Sequence, residues 1–177
     1  MIFETWKKTP RLYRDIVITE KIDGQQAVIG ISDDEFVLGS RNGWLEGHND
    51  LRGFKDWALA HEGLLRADLG NGIHRGEWFG HKIYRGYGLQ ENRLALFNTF
   101  LYDGVQFNTP NLCTTPVLYQ GVFSESRIKW ALDCLRSEGS LVAPGFMRPE
   151  GICIYHTQSN DVYKVLLEND HLHKGQL

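Results

Sequence analysis

The chain lacks the features that mark several large classes of protein. Its three cysteines, Cys113, Cys134 and Cys153, lie far apart without a Cys-x-x-Cys pair, so the sequence predicts neither a disulfide framework nor a zinc knuckle. No apolar run approaches the about 18 residues of a membrane-spanning helix, and the first residues contain no signal-peptide core. We therefore expect a soluble protein of the reducing cytoplasm, with no membrane partner.

Positive charge is also scarce. The chain has 19 Lys and Arg against 22 Asp and Glu, which gives a net charge of -3 at pH 7. Any nucleic acid therefore has to be held by a local basic groove rather than by the overall charge. At 177 residues with 42% hydrophobic content, the chain is long enough for one full core and too short for two, so we expect a single domain over residues 1–177.

The strongest chemical signal is the short stretch Lys21-Ile22-Asp23-Gly24. An apolar, β-rich segment leads into Lys21, and Asp23-Gly24 is a turn signal that leaves the lysine at a strand end. A lysine amine attacks phosphorus only when neutral, and at a pKa of about 10.4 roughly one lysine in 2,500 is neutral at pH 7. Burial, a second cation or a metal can lower that pKa. Lys21 is therefore a candidate nucleophile; the alternative is a surface lysine beside a hairpin turn.

The next residues predict a β-hairpin. Residues 26–32 and 35–40 have strand-like composition and are separated by Asp33-Asp34. A two-residue loop there places Arg41 opposite Gln26, close to the Lys21 turn. A guanidinium in that position can hold a ribose or phosphate oxygen by paired donors, and the alternative is an exposed cross-strand arginine.

A further strand is predicted over residues 73–79. It carries Glu77 beside Gly76, where a carboxylate is well suited to accept hydrogen bonds from sugar hydroxyls. The competing interpretation is a salt bridge to Arg75 or His74 that serves only stability.

The middle of the chain contains an aromatic loop and a long apolar run. Residues 84–88, Tyr-Arg-Gly-Tyr-Gly, have a composition suited to single-stranded backbone and bases, although a tight aromatic loop explains them equally. Residues 93–102 are nearly continuously apolar and predict a central, buried strand.

Two helices are predicted. Asn49 or Asp50 is a candidate N-cap for the first, and the second begins after Ser124 and ends near Gly139. The buried sides carry apolar residues at helical spacing: Leu51, Phe54, Trp57 and Ala58 in the first, and Ile128, Ala131, Leu132 and Leu135 in the second.

The order of these stretches resembles the motif order of the covalent nucleotidyltransferases, which include ATP-dependent DNA ligases, RNA ligases and RNA capping enzymes. Lys21-Ile22-Asp23-Gly24 resembles motif I. Later stretches resemble motifs Ia, III, IIIa, IV and V: Ser40-Arg41-Asn42-Gly43, Arg75-Gly76-Glu77-Trp78-Phe79-Gly80, Leu96-Phe97-Asn98, Pro149-Glu150-Gly151-Ile152 and Tyr163-Lys164-Val165. The sequence is most similar to the RNA ligase family, in particular to its short phage-type members.

This resemblance implies an α+β ligase fold with two antiparallel β-sheets around an ATP cleft and helices outside. It also implies the reaction: Lys21 forms a lysyl-AMP intermediate, AMP passes to a 5'-phosphate end, and a 3'-hydroxyl seals the strand. The implied partner is a nucleic acid with such ends, with RNA favoured over DNA. ATP and Mg²⁺, or Mn²⁺ in its place, are the implied cofactors.

The resemblance also assigns residue roles. Lys21 and Lys164 are the implied catalytic residues, with Lys164 neutralising the α-phosphate. Glu150 is the implied magnesium ligand, which suits a metal that prefers oxygen atoms and shares them with substrate phosphates. The implied nucleotide-binding residues are Glu20, Arg41, Glu77, Phe97 and Lys164.

Glu150 and Lys164 lie on a predicted hairpin. Residues 150–155 and 162–167 read as two strands joined by a turn at 158–161, which brings the two side chains into one neighbourhood. The alternative to the implied roles is a simple cross-hairpin ion pair between Glu150 and Lys164.

Three departures from the family pattern are visible. Motif V has the single lysine Lys164 where the family usually has two, and Arg148 or Lys174 is a candidate substitute. Gln26 stands where RNA ligases tend to have asparagine. Few residues follow motif V, so we expect that no C-terminal domain is present and that a partner supplies the missing part.

Other functions stay open at this stage. A minimal ATP-dependent DNA ligase would share almost every motif, and a capping guanylyltransferase would prefer GTP. A noncatalytic module that binds nucleotides or RNA ends would explain the missing motif V lysine.

Overall fold

A computed structural model gives the structure of the chain and describes residues 2–6 and 8–171, so Lys174 lies outside the described residues. The elements in chain order are β1 (Asp15–Lys21), β2 (Gln25–Ile31), β3 (Phe36–Ser40), β4 (Gly43–Trp44), α1 (Phe54–Ala60), α2 (Glu62–Leu69), β5 (Gly72–Gly80), β6 (Asn92–Leu96), β7 (Leu112–Thr114), β8 (Val117–Val122), α3 (Glu125–Glu138), β9 (Gly151–His156) and β10 (Asp161–Leu166). No described helix has the length and apolar character needed to cross a membrane.

The strands form two sheets, so the fold is a mixed α+β arrangement. One sheet has four strands in the order β10-β9-β1-β8, and all of its neighbours are antiparallel. The other has six strands in the order β4-β3-β2-β5-β6-β7. Its last pair, β6 and β7, is parallel, so the expectation of two purely antiparallel sheets was wrong for this sheet.

The outer face of the four-stranded sheet packs against α3. Alternate residues of the central strands point to this face because strand side chains have a period of two. They meet the apolar stripe that helical spacing produces on α3. The buried residues of this core are Ile16, Ile18, Ile152 and Ile154 from the sheet and Ala131, Leu132 and Leu135 from the helix. Full burial of each Ile or Leu contributes roughly 1.5–3 kcal/mol of hydrophobic stabilisation.

The outer face of the six-stranded sheet packs against α1 and α2. Its core includes Ala27, Ile29, Trp78, Leu94 and Leu96 from the strands and Phe54, Ala58, Leu65 and Leu69 from the helices. In both sheets the helices therefore cover only one face. We call the other two faces the inner faces.

A third cluster joins the two sheets beside the end of β1. It contains Ile22, Phe79, Tyr87, Ala95 and Ala143. Ile22 follows β1, whereas Phe79 and Ala95 belong to the six-stranded sheet, so this cluster fixes the end of β1 against the inner face of the other sheet.

The β2–β3 hairpin and helix α3 confirm their predictions. Ala27 pairs with Ser40 and Ile31 pairs with Phe36, which is the register of a two-residue loop at Asp33-Asp34. Helix α3 follows Ser124 and ends at the C-cap Gly139.

Two predictions of local structure were wrong. The first helix begins at Phe54, because Leu51 and Arg52 have the left-handed φ values 49° and 54° and cannot continue a helix. The apolar run 93–102 leaves the sheet after Leu96 and forms turns. Strand β7 and helix α2 were not predicted.

Candidate active site

Lys21 is the last residue of β1 and contacts Glu150. The distance from Lys21 Nζ to Glu150 Oε2 is 2.5 Å, and the two side chains are 21% and 17% exposed. Strand pairing explains the contact, because Lys21 lies opposite Gly151 and Glu150 immediately precedes Gly151. Gly151 has a φ of 155°, and a Cβ there would meet the carbonyl oxygen of Val165, so only glycine fits beside Glu150.

The turn after Lys21 is held by two residues of the aromatic loop, Arg85 and Tyr87. Arg85 Nε lies 3.3 Å from Asp23 Oδ2, and the backbone N–H of Asp23 donates to Tyr87 Oη at 2.7 Å. A Cβ at Gly24 would meet the carbonyl oxygen of Trp78, so the turn approaches β5 as closely as glycine allows. Close packing of the turn against β5 therefore requires glycine at position 24.

Glu77 lies beside this turn, on the inner face of the six-stranded sheet. It pairs with Gln26 on β2 and with Ala95 on β6. Burial raises the pKa of its carboxyl from 4.5 to about 7; the charge of Lys21 lowers this pKa, and those of Glu150 and Asp23 raise it. Glu77 is therefore electrostatically coupled to the Lys21–Glu150 pair.

The salt bridges predicted as alternatives do not form among the described residues. His74 is on the outer face, where its ring nitrogens contact Tyr102 Oη at 2.5 Å and the carbonyl oxygen of Gly70 at 3.0 Å. No ion pair joins Glu77 to Arg75, or Glu150 to Lys164, within residues 2–6 and 8–171.

Lys164 lies on the inner face of the four-stranded sheet. It pairs with Cys153, which pairs on its other side with Thr19. Strand alternation therefore puts Lys164 on the same face as Lys21, and the Lys164 side chain is exposed.

Cys153 is a site residue that sequence reasoning missed. Burial raises the pKa of its thiol, and Lys21, Glu150, Glu77 and Lys164 all act on it electrostatically. Its position three residues after Glu150, on the same strand face as Gly151, was the signal that could have found it.

Glu20 does not join the other predicted site residues. It precedes Lys21 in β1, so its side chain points to the outer face. There it is 1% exposed and accepts three hydrogen bonds, from Ser140 Oγ at 2.6 Å, from the N–H of Leu141 at 2.7 Å and from the N–H of Val142 at 3.1 Å. The side chain thus holds the loop after α3, away from the inner face, and the nucleotide contact predicted for Glu20 stays a prediction.

Arg41 and Phe97 both follow strands of the six-stranded sheet and are exposed. Phe97 is 41% exposed, and its N–H donates to the carbonyl oxygen of Arg75 at 2.9 Å. It is two residues after Ala95, so strand alternation places its ring on the inner face. Arg41 directly follows Ser40, the last residue of β3. Ser40 pairs with Ala27, so the same register continued by one residue places Arg41 close to Gln26.

The described residues contain no group of three or more His, Cys, Asp or Glu side chains arranged to hold a metal ion. The carboxylates near Lys21 are those of Asp23, Glu77 and Glu150, and Asp23 is already paired with Arg85. In the described part of the chain, the only hydrogen bond to the Glu150 carboxylate is accepted by Oε2, from Lys21 Nζ, so Oε1 is available for an ion or its water shell.

Solved structures of similar fold are RNA ligases of Naegleria gruberi. An apo mutant has 16% sequence identity and a TM-score of 0.66, with 93% of this chain and 52% of that chain covered. A mutant with ATP and Mn has 16% identity and a TM-score of 0.65, with 89% and 52% covered. The ligase with PPi has 18% identity and a TM-score of 0.61, with 86% and 49% covered.

The chain thus spans about half the length of these structures. No curated protein matches the sequence. The sequence profile of the RNA ligase family matches residues 14–166, which include Lys21, Glu77, Glu150 and Lys164. The chain therefore belongs to the RNA ligase family.

Proposed function

We propose that this chain is the adenylyl-transferring part of an ATP-dependent RNA ligase. In this proposal, residues 1–177 form one adenylyltransferase domain, and the two inner faces enclose an ATP cleft as in the nucleotidyltransferase fold. The observation that carries the proposal is the contact between Lys21 Nζ and Glu150 Oε2 at 2.5 Å, beside Glu77, in a member of the RNA ligase family.

The first step is attack of Lys21 Nζ on the α-phosphorus of ATP. A P–N bond forms, the P–O bond to pyrophosphate breaks, and lysyl-AMP results. The amine loses a proton in this step, and the nearest acceptor is the Glu150 carboxylate at 2.5 Å. Strand pairing of β1 with β9 fixes both groups, so little reorganisation is needed before reaction.

The remaining inner-face residues have roles in holding ATP. The ribose hydroxyls donate to Glu77, the base stacks on the exposed ring of Phe97, and Arg41 holds a sugar or phosphate oxygen. Lys164 faces the same space as Lys21 and neutralises charge on the α-phosphate as it develops. Its partner lysine in the family motif is absent, and the exposed Arg148 is a candidate for the second cation.

Mg²⁺, or Mn²⁺, is the metal that this proposal requires. Glu150 Oε1, directly or through water, would hold the ion together with the phosphate oxygens of ATP, which fits a metal that seldom relies on an all-protein cage. The ion supplies neutralisation of the charge that develops on the leaving pyrophosphate. The Naegleria ligase structures with ATP and Mn agree with this choice of cofactors.

The later steps use the activated nucleotide. A 5'-phosphate end attacks lysyl-AMP, which releases Lys21 and forms an adenylylated end, and a 3'-hydroxyl then displaces AMP. We assign RNA as the polynucleotide because the profile match is to RNA ligases.

Intact-mass measurement tests the first step. The purified chain is incubated with ATP or GTP and Mg²⁺, beside Lys21→Ala and the charge-preserving variant Lys21→Arg. We expect an AMP-sized increase in wild type that both variants lack, because neither alanine nor the guanidinium of arginine provides an amine nucleophile. A GMP-sized increase would instead indicate a capping enzyme.

A second candidate function follows from the single lysine of motif V. If the chain binds ATP but forms no covalent adduct, it is a noncatalytic nucleotide- or RNA-end-binding module. If the adduct forms, chase experiments with nicked RNA and nicked DNA duplexes separate an RNA ligase from a minimal DNA ligase.

A further inference from the structure

A surface beside the Lys21 turn has an arrangement that the proposed active site does not use. It consists of Arg52, Lys82 and Tyr84, and we call it the Tyr84 shelf. The ring of Tyr84 is 60% exposed, and Arg52 Cζ lies 5.7 Å from its centre. Arg52 Nη1 donates to the carbonyl oxygen of Lys82 at 3.0 Å, and both cationic side chains are exposed.

The Tyr84 shelf is connected to the proposed nucleophile through its neighbours in the chain. Arg85, next to Tyr84, is paired with Asp23 at 3.3 Å. Gln25 follows the Lys21 turn directly, and its Nε2 lies 3.5 Å from Tyr84 Oη. A strand that crossed the shelf would therefore pass beside the residues that position Lys21.

The backbone of the shelf is held in an unfavourable conformation. Arg52, Lys82 and Tyr84 have φ values of 54°, 58° and 41°, which non-glycine residues adopt at a cost in free energy. Packing maintains this conformation, because Ile83 is 1% exposed and the carbonyl oxygen of Arg52 accepts from Trp78 Nε1 at 3.1 Å. An exposed aromatic ring on such a constrained loop is pre-organised for a ligand.

The charges of the shelf are complementary to a polyanion. Among the described residues, no carboxylate forms an ion pair with Arg52 or Lys82. Two acidic residues next to the shelf's neighbours are already engaged: Asp23 pairs with Arg85, and Asp50, two residues before Arg52, accepts from the N–H groups of Gly53 and Asp56. The shelf is thus a local basic surface on a chain whose net charge is -3.

We propose that the Tyr84 shelf binds single-stranded RNA, with one base stacked on Tyr84 and backbone phosphates held by Arg52 and Lys82. Aromatic rings beside cations are the recurrent means of holding a single strand, since every base has a face that can stack and every nucleotide has a phosphate. The choice of RNA rests on the proposed function. The shelf then delivers a strand end to the Lys21 turn.

Fluorescence anisotropy with a short, single-stranded, 3'-labelled RNA tests this proposal without ATP. We expect Tyr84→Ala to weaken binding roughly 5- to 100-fold, because base stacking on an aromatic ring contributes that much, whereas Tyr84→Phe keeps the ring and the affinity. Arg52→Ala should reduce the slope of log affinity against log salt by about 0.7, since one phosphate contact is lost. An RNA with an abasic site at the stacked position should bind wild type and Tyr84→Ala alike.

A matched control comes from helix α3, which covers the four-stranded sheet. Trp130 on α3 is 43% exposed and lies beside Arg127, whose Cζ is 5.9 Å from the ring centre. Trp130→Ala therefore removes a similar exposed arginine–aromatic pair far along the chain from the Lys21 turn, and we expect unchanged RNA binding.

The outcomes distinguish this proposal from the proposed function. Three results would each overturn RNA binding by the Tyr84 shelf. They are equal RNA binding by wild type and Tyr84→Ala, equal losses of affinity in Tyr84→Ala and Tyr84→Phe, and no RNA binding by wild type. AMP adduct formation should be the same in Tyr84→Ala and wild type, which also shows that the variant is folded. Absence of the adduct in wild type would overturn adenylyl transfer while leaving the RNA-binding comparison readable.

Discussion

One glutamate is buried on the outer face of the four-stranded sheet and another is half-buried on the inner face of the six-stranded sheet, and the surroundings of the two differ. Glu20, on the outer face, accepts three hydrogen bonds from the loop after α3. Glu77, on the inner face, has Lys21, Glu150 and Asp23 as its charged neighbours. Burial raises the pKa of both carboxyls, and hydrogen bonds to Ser140, Val142 and Leu141 oppose that shift at Glu20.

We interpret this difference as one between a structural carboxylate, Glu20, and a carboxylate that we propose binds the nucleotide, Glu77. Within residues 2–6 and 8–171, the N–H groups of Leu141 and Val142 donate to no acceptor other than the Glu20 carboxylate, so this loop depends on Glu20. Glu77 is kept near other acids although burial disfavours its charge, and groups held in such a costly state are typical of functional sites. The inner face shows the same contrast among its apolar residues, since Phe79 and Ala95 are packed beside the end of β1 and Phe97 is exposed.

Replacement of Glu20 should have the largest effect on stability. Glu20→Ala leaves one buried and two part-buried donors without their acceptor, and we expect a loss of about 3 kcal/mol in the free energy of unfolding. Urea denaturation monitored by tryptophan fluorescence measures it. Glu20→Gln keeps one acceptor oxygen and should lose less.

The result also tests the assignment of Glu20. In the absence of urea, where Glu20→Ala is still folded, the affinity of this variant for ATP should be close to that of wild type. If Glu20→Ala were as stable as wild type but failed to bind ATP, Glu20 would be a nucleotide-binding residue after all, and the contrast with Glu77 would disappear.

Replacement of Glu77 should change stability in the opposite direction and in a pH-dependent way. The folded-state pKa of about 7 lies above the ordinary 4.5, so the folded state retains a proton that the unfolded state has already lost. The contribution of the Glu77 carboxyl to the free energy of unfolding is fully present below pH 4.5 and is lost as the pH rises through 7. Glu77→Gln avoids the loss and should be more stable than wild type at pH 8 by roughly 3 kcal/mol, with little difference at pH 4.

Thermal unfolding of the nucleotide-free protein at several pH values measures this effect, with Glu138→Gln on the exposed side of α3 as the control. The same Glu77→Gln variant should bind ATP more weakly, because an amide is a poorer acceptor for ribose hydroxyls. A variant that is less stable than wild type at pH 8 would show that Glu77 serves the fold, as Glu20 does.

The sequence was sufficient to predict the features that depend on local periodicity. The register of β2 with β3 follows from a two-residue loop between two strands, and α3 follows from apolar residues at helical spacing. The proximity of Lys21 and Glu150 could not be derived from periodicity, because it needs the pairing of β1 with β9. Only the order of the family motifs indicated it.

Where the structure differs from the expectations, the cause is physical. The Glu20 side chain lies on the outer face although its neighbour Lys21 lies on the inner face, because adjacent residues of a strand point to opposite faces. The apolar run after residue 93 was predicted to be one buried strand, yet Phe97, Phe100 and Leu101 are 41%, 53% and 57% exposed. Hydrophobic composition alone cannot distinguish a buried core strand from an exposed surface that binds the apolar face of a ligand.

Phe97 offers the mildest test of the difference between inner and outer faces. Because its ring is exposed, Phe97→Ala should leave the free energy of unfolding within about 0.5 kcal/mol of wild type. The affinity for ATP should fall roughly 5- to 20-fold, because stacking on the base is lost. Calorimetry measures this affinity, with Lys21→Ala present in both proteins so that no reaction occurs. Phe100→Ala is the matched control, since Phe100 lies in the same segment and is 53% exposed.

If both variants bind ATP as tightly as the parent, the base does not stack on Phe97 and this part of the inner face is not the adenine site. If Phe97→Ala is instead strongly destabilised, the ring belongs to the core in solution, and the distinction between packed outer faces and an open inner face fails at this position.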